Sequence, residues 1–212
     1  MNKQVNTIDA LAAAVAAFRI NDNQIVKFTS TKPGNKEMVL AHLAGTSLLD
    51  VTESDQQLAE DIASYLNQQL TVSALTNRKV SEFFREVAVM AAEAIVHTRK
   101  IGQLVWAPKL YIDNLKQEEY RERVSRCVFS SRHIGTIKTP ITVELDILSR
   151  RYAAMFDCTS YIASDSAGNL YGILSKLNFP DKVTVKGRVK NHSTSAAHSN
   201  AKITYLNYVK EV

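Results

Sequence analysis

The sequence predicts an α+β protein, with a mainly helical region over residues 1–128 followed by a region of five β-strands over residues 129–212. Three observations predict it. Apolar residues recur at three- and four-residue steps in the first region and at two-residue steps from Ile134 onward. Turn-forming clusters such as Asp165-Ser166-Ala167-Gly168-Asn169 and Pro180-Asp181 fall between the alternating segments of the second region. The composition, 45% hydrophobic and 22% charged with 7 Gly and 4 Pro, is that of a globular chain and excludes collagen-like, mucin-like and wholly disordered classes.

In the first region Thr7 is placed to cap a helix carrying Ile8, Leu11, Val15 and Phe18 on one stripe, ended by Asn21–Asn23. Gln24–Ser30 alternates weakly and reads as a short strand. Pro33-Gly34-Asn35 breaks the chain before an apolar segment, Met38–Leu43, closed by Gly45. Thr52 or Ser54 caps the next helix, whose stripe is Leu58, Ile62, Tyr65 and Leu66. Ser81 starts a helix with Phe84, Val87, Ala91, Ala94 and Ile95 on its apolar face, expected to run through the basic residues His97–Lys100 to Gly102. A last helix follows Pro108, and its mixed Glu and Arg residues from Lys116 to Arg126 have the spacing of a solvated face with i,i+4 pairs.

In the second region Val143, Leu145 and Ile147 alternate with Thr142, Glu144 and Asp146 in the first strand. Thr159–Ala163 and Leu170–Leu174 flank the Gly-Asn turn as the second and third. Val183, Val185, Gly187 and Val189 alternate with polar residues in the fourth, and Ile203–Val209 forms the fifth. The polar stretch Asn191–Ala201 reads as a loop.

Charge is unevenly placed. Residues 1–128 carry 15 Lys+Arg against 15 Asp+Glu and residues 129–212 carry 11 against 6, so the whole formal charge of +5 lies in the second region. A basic surplus confined to one segment points to a local surface for a polyanion. The strand Lys182–Lys190 concentrates it, because alternation puts Lys182, Thr184, Lys186, Arg188 and Lys190 on one face. The plain alternative is a solvated face, or an edge strand guarded by lysines. Tyr152, Phe156, Tyr161, Tyr171, Tyr205 and Tyr208 are interleaved with Arg150, Arg151 and Lys176, and aromatic rings beside cations suit unpaired bases on a phosphate chain. A small barrel also needs bulky rings for its core.

Five short strands, an Asp-x-x-Gly-Asn turn between the second and third, and Asp-Lys-Val-Thr-Val-Lys-Gly-Arg-Val-Lys over Asp181–Lys190 resemble an OB-fold, as in single-stranded DNA-binding proteins and tRNA-synthetase anticodon-binding domains. Ser131–Val212 is also similar to C-terminal segments of bacteriophage proteins in which a Gly-Asn turn precedes a strand and a Val-Lys-x-His motif, here Val189-Lys190-Asn191-His192. The chain departs from the family in showing no helix signal between strands three and four and no acidic, glycine-rich tail. The resemblance implies an OB-like β-barrel binding oligonucleotides across strands two and three and the loops Ser149–Asp157 and Asn191–Ala201.

The function expected from these features is non-catalytic binding of single-stranded nucleic acid, DNA in preference to RNA, in phage-type replication, recombination or repair. Lys182, Lys186, Arg188 and Lys190 would meet phosphates, Arg150, Arg151, Lys176 and His192 would extend the track, and Tyr161 and Tyr171 would stack on bases. The rival is a protein–protein assembly subunit of a replisome or virion, and a third reading is a metal-dependent nuclease. No cofactor, catalytic residue or metal is expected. His192, His198, Cys158 and His133 match no standard zinc spacing, and Asp146, Asp157 and Asp165 lack a nuclease pattern. Two cysteines, Cys127 and Cys158, read as reduced, buried thiols. The apolar run Ala10–Phe18 is too short to span a bilayer and lacks the flanks of a signal peptide, so no membrane partner and a cytoplasmic location, the host's if phage-encoded, are expected. Trp106, Pro108 and Tyr111 mark the junction of the two regions as packing, or as a contact for a second copy or a replication partner.

Overall fold

An alanine-rich helix, α1 (Thr7–Ile20), lies at the centre of the N-terminal unit, and every residue from Ala10 to Phe18 is buried. The computed structural model describes residues 3–29, 32–46, 49–195 and 200–212. A helix apolar on one stripe needs one neighbour; one apolar all round must be surrounded. Around α1 pack α2 (Asn35–Leu43), α3 (Glu53–Thr76), α4 (Glu82–Ala92) and the single turn α5 (Ile101–Leu104). Val39, Ile62, Leu66, Phe84, Val87, Met90 and Leu104 close the core about it.

The caps follow the sequence closely. Asn6 rather than Thr7 caps α1, accepting from the amides of Ile8 and Asp9. Thr52 caps α3 in a reciprocal box with Asp55, and Ser81 caps α4. Two expectations fail here. Gln24–Thr29 forms no strand, because no strand lies beside it; the buried Asn35 side chain holds it instead, accepting from the Val26 amide at 2.7 Å and donating to the Gln24 carbonyl at 3.2 Å. The helix begun at Ser81 stops at Ala92, since Ile95–His97 turns extended as β2 and pairs antiparallel with β1 (Gln4–Asn6). A β-branched pair with a strand partner in reach outweighs the helical period.

Helix α6 (Ala107–Val128) begins in the first compact unit, Met1–Leu115, and ends in the second, Lys116–Val212, so the boundary falls inside the helix rather than after residue 128. Trp106 packs in the first unit's core and meets Phe83 edge-on at 5.9 Å, while Tyr111 meets Tyr65 at 5.1 Å.

The second unit is a closed five-stranded barrel, OB-like as expected, in the order β3 (Pro140–Ala153), β4 (Cys158–Ser164), β5 (Leu170–Ser175), β7 (Ala201–Glu211), β6 (Lys182–Ser195). All pairs are antiparallel except β5 with β7. Closure removes the edges that would otherwise invite further pairing. Both expected loops shrink. Ser149–Ala153 continues β3 before a short 3₁₀ turn at Ala154–Phe156, and Asn191–Ser195 continues β6. His198 lies outside the described residues. No helix stands between β5 and β6.

The barrel interior holds Leu145, Ile147, Ala163, Ile173, Val183, Val185, Val189 and Leu206 around three rings, Tyr161, Tyr171 and Phe179. One end is closed by Tyr120, Val124 and Cys127 of α6 against Leu170, Ala201 and Ile203. Cys127 and Cys158 are free thiols, the first buried and the second half-buried. No helix among the described residues is long and apolar enough to cross a membrane.

Candidate functional site

Tyr161 and Tyr171 do not face a ligand. They are 1% and 0% exposed, because the inward phase of β4 and β5 carries Tyr161 with Ala163 and Tyr171 with Ile173. Each hydroxyl is bonded as a buried one must be: Tyr161 donates to the Leu177 carbonyl at 2.8 Å and Tyr171 to the Asp165 carboxylate at 2.9 Å. Burial, then the Asp165 bond and charge, push the Tyr171 phenol above its ordinary range. Asp165 also accepts from the amides of Ala167 and Asn169, which leaves it a turn residue, with Gly168 supplying the positive φ of 79°. Neither β4 nor β5 contains a charged residue.

The expected cations divide into two groups. Arg150 pairs with Asp181 at 2.7 Å and donates to the Phe179 carbonyl. Lys176 pairs with Asp157 at 2.9 Å, and that bond, with one from Tyr152, holds the Asp157 carboxyl below its usual range. Lys182 lies 3.7 Å from Asp146, its register partner on β3. Each of these three has a carboxylate beside it at the surface. Arg151, Lys186, Arg188 and Lys190 are exposed and make no ion pair among the described residues.

His192 is half-buried. It stacks on His133 with centroids 4.6 Å apart and planes 4° from parallel, and its Nε2 donates to the Ile134 carbonyl while that of His133 donates to Ser193. No group of three or more His, Cys, Asp or Glu among the described residues could hold a metal ion. Asp146, Asp157 and Asp165, weighed as a metal-binding set, each serve a separate structural partner.

What the structure adds lies on β7. Lys210 stands directly opposite Lys186, and Arg188 faces Asn207. Between these two pairs β7 has one residue more than β6, and within that bulge Tyr208 takes φ +51°. A second shift sets Lys190 in a bulge of β6. Pro140, Lys186, Arg188, Tyr208 and Lys210 line a concavity of about 570 Å³. The Arg188 guanidinium lies over the Tyr208 ring, 6.0 Å from its centroid. Glu144 and Glu211 are the carboxylates closest in register, opposite Thr184 and Val185, and neither forms an ion pair with these cations.

The sequence places Tyr208 among the interleaved rings without singling it out, and Lys210 was passed over, although a signal was present. Leu206 and Val209 point inward three residues apart, which breaks the two-residue period and marks an inserted residue. A second groove, about 780 Å³, runs between the α6 residues Tyr120, Arg121 and Val124 and the strand residues Ser149, Arg151 and Ile162, and this is where Arg151 sits. Comparison with family models, with curated proteins and with solved structures finds no match to the chain.

Proposed function

We propose that the barrel binds single-stranded nucleic acid without catalysis, along the outer face of β6 and β7 rather than across β4 and β5. One observation carries this reading: Lys186 and Lys210 are opposed across two strands, with Arg188 and Lys190 exposed along β6 and no carboxylate among the described residues paired to any of them. Like charges directly opposite on a sheet are destabilising, and an anion laid between them turns that cost into affinity. Their linear spacing along two strands suits a phosphate chain better than a single small anion. The family resemblance of the last 80 or so residues, read as oligonucleotide binding, points the same way. DNA in preference to RNA, and a role in phage-type replication, recombination or repair, belong to the proposal on that resemblance.

The test is the salt dependence of binding to oligo-dT and oligo-U. Affinity should fall steeply with salt. The double variant Lys186→Ala/Arg188→Ala should flatten the log–log slope by about 1.4, the value for two phosphate contacts on a single strand. Lys182→Ala should flatten the slope less than either change on Lys186 or Arg188, since the Asp146 carboxylate lies 3.7 Å from that ammonium. Equal slopes for wild type and double variant would remove the assigned surface.

A second reading, assembly with a protein partner, is favoured by one feature. The end of β3 and the turn that follows it expose Tyr152, Met155 and Phe156. Light scattering that gives a defined oligomer, with no response to either oligonucleotide, would support it over nucleic-acid binding.

A further inference from the structure

We infer that Tyr208 is a stacking platform for an unpaired base, held out from the barrel by the β7 bulge between phosphate-binding cations. This inference rests on the nucleic-acid reading above and adds to it the residue that distinguishes a single strand from a bare polyanion or a duplex. Tyrosine rarely takes a left-handed conformation, because its Cβ crowds the carbonyl that follows, and φ +51° therefore has to be compensated by its surroundings. Packing of the ring does not compensate it, for Tyr208 is 78% exposed. An in-phase strand would place residue 208 differently; the inserted residue re-aims it beside Lys186, Arg188 and Lys210. The bulge lets Leu206 and Val209 both face the core and leaves the Tyr208 ring outside it, where the fold makes no use of its face.

The local chemistry names the ligand. Arg188 lies over the ring and leaves most of its surface open to solvent. An aromatic face flanked by cations on both strands matches the alternation of base and phosphate in a single strand, where each base offers a π-face. Bases in a duplex are already stacked on their neighbours and cannot offer that face without unstacking. The site thus lies on the fourth and fifth strands of the barrel, away from the second and third.

The experiment compares the full chain's affinity for oligo-dT with that for an abasic phosphodiester chain of equal length, in wild type, Tyr208→Phe and Tyr208→Asn. Wild type and the Phe variant should prefer oligo-dT by on the order of 5- to 150-fold. The Asn variant should lose that preference while keeping the wild-type affinity for the abasic chain and the wild-type salt slope. Asn tolerates the left-handed region, so this variant should unfold at the same or a higher temperature, which separates lost stacking from lost folding. A wild type blind to the presence of bases, or an Asn variant that still prefers oligo-dT, overturns the stacking role and leaves the phosphate surface standing. Failure of wild type to bind either chain at low salt overturns both.

Discussion

Asp55 joins two kinds of stabilisation in one carboxylate. It completes the capping box with Thr52 and receives Arg19 on both oxygens, at 3.1 and 2.8 Å. Burial opposes its charge, yet the bonds from Arg19 and Thr52 outweigh burial and hold its pKa below the ordinary value of 3.8. A lowered native pKa means stability that is present above the unfolded value and lost as the pH falls from there through the native one. Asp55→Asn should therefore cost the N-terminal unit about 1–3 kcal/mol at neutral pH, measured by urea unfolding. The gap to wild type should shrink as the pH drops below 3.8. A pH-independent gap would mean that shape, not charge, is what Asp55 contributes. The Thr52 cap and its acidic partner three residues on are readable in the sequence; Arg19, thirty-six positions earlier, is not, because only the packing of α1 on α3 brings it there.

Among the elements, the seam between β5 and β7 is the one parallel contact that closes the barrel. At its middle Gly172 stands opposite Tyr205, whose ring lies on the glycine where a Cβ would be. Gly172→Ala should destabilise the barrel by about 1–3 kcal/mol, the usual cost of overfilling a packed site. Adding Tyr205→Leu should recover part of the loss in a double-mutant cycle, and strict additivity of the two would show that the pair is not in contact. Strand identity was legible from alternation, and strand length was not. Asn191–Ser195 is polar enough to read as loop, yet Thr204 and Tyr205 across from it on β7 complete its ladder. The same limitation explains the wrong end given to α4, where a distant partner, β1, claimed Ile95 and Val96.

At the scale of the whole molecule, two separate cores divide the chain inside α6. The second half of that helix covers Leu170, Ala201 and Ile203 of the barrel. Beyond it, the Ser131 hydroxyl donates to the Lys202 carbonyl at 2.5 Å and accepts from the Leu170 amide at 2.9 Å, which fixes the chain where it enters the β-region. A fragment of residues 116–212 should thus unfold cooperatively with a native β-spectrum. A fragment of residues 129–212, stripped of Tyr120, Val124 and Cys127, should lose cooperativity or aggregate. Equal stability of the two fragments would show that the helix is no part of the barrel's core.

By itself the sequence determined the main helices and the five barrel strands, though not their ends or the short pair β1 and β2, where most turns fall, and that the positive charge gathers toward its C-terminal end. All of these are set by neighbours a few residues apart, through backbone period, capping and turn chemistry. Only the tertiary structure decided which cations are already neutralised, which tyrosines fill the interior, and that Tyr208 is turned outward beside Lys210. Those outcomes depend on the register between β3, β6 and β7, segments distant in sequence, where a single inserted residue changes the face that a side chain takes.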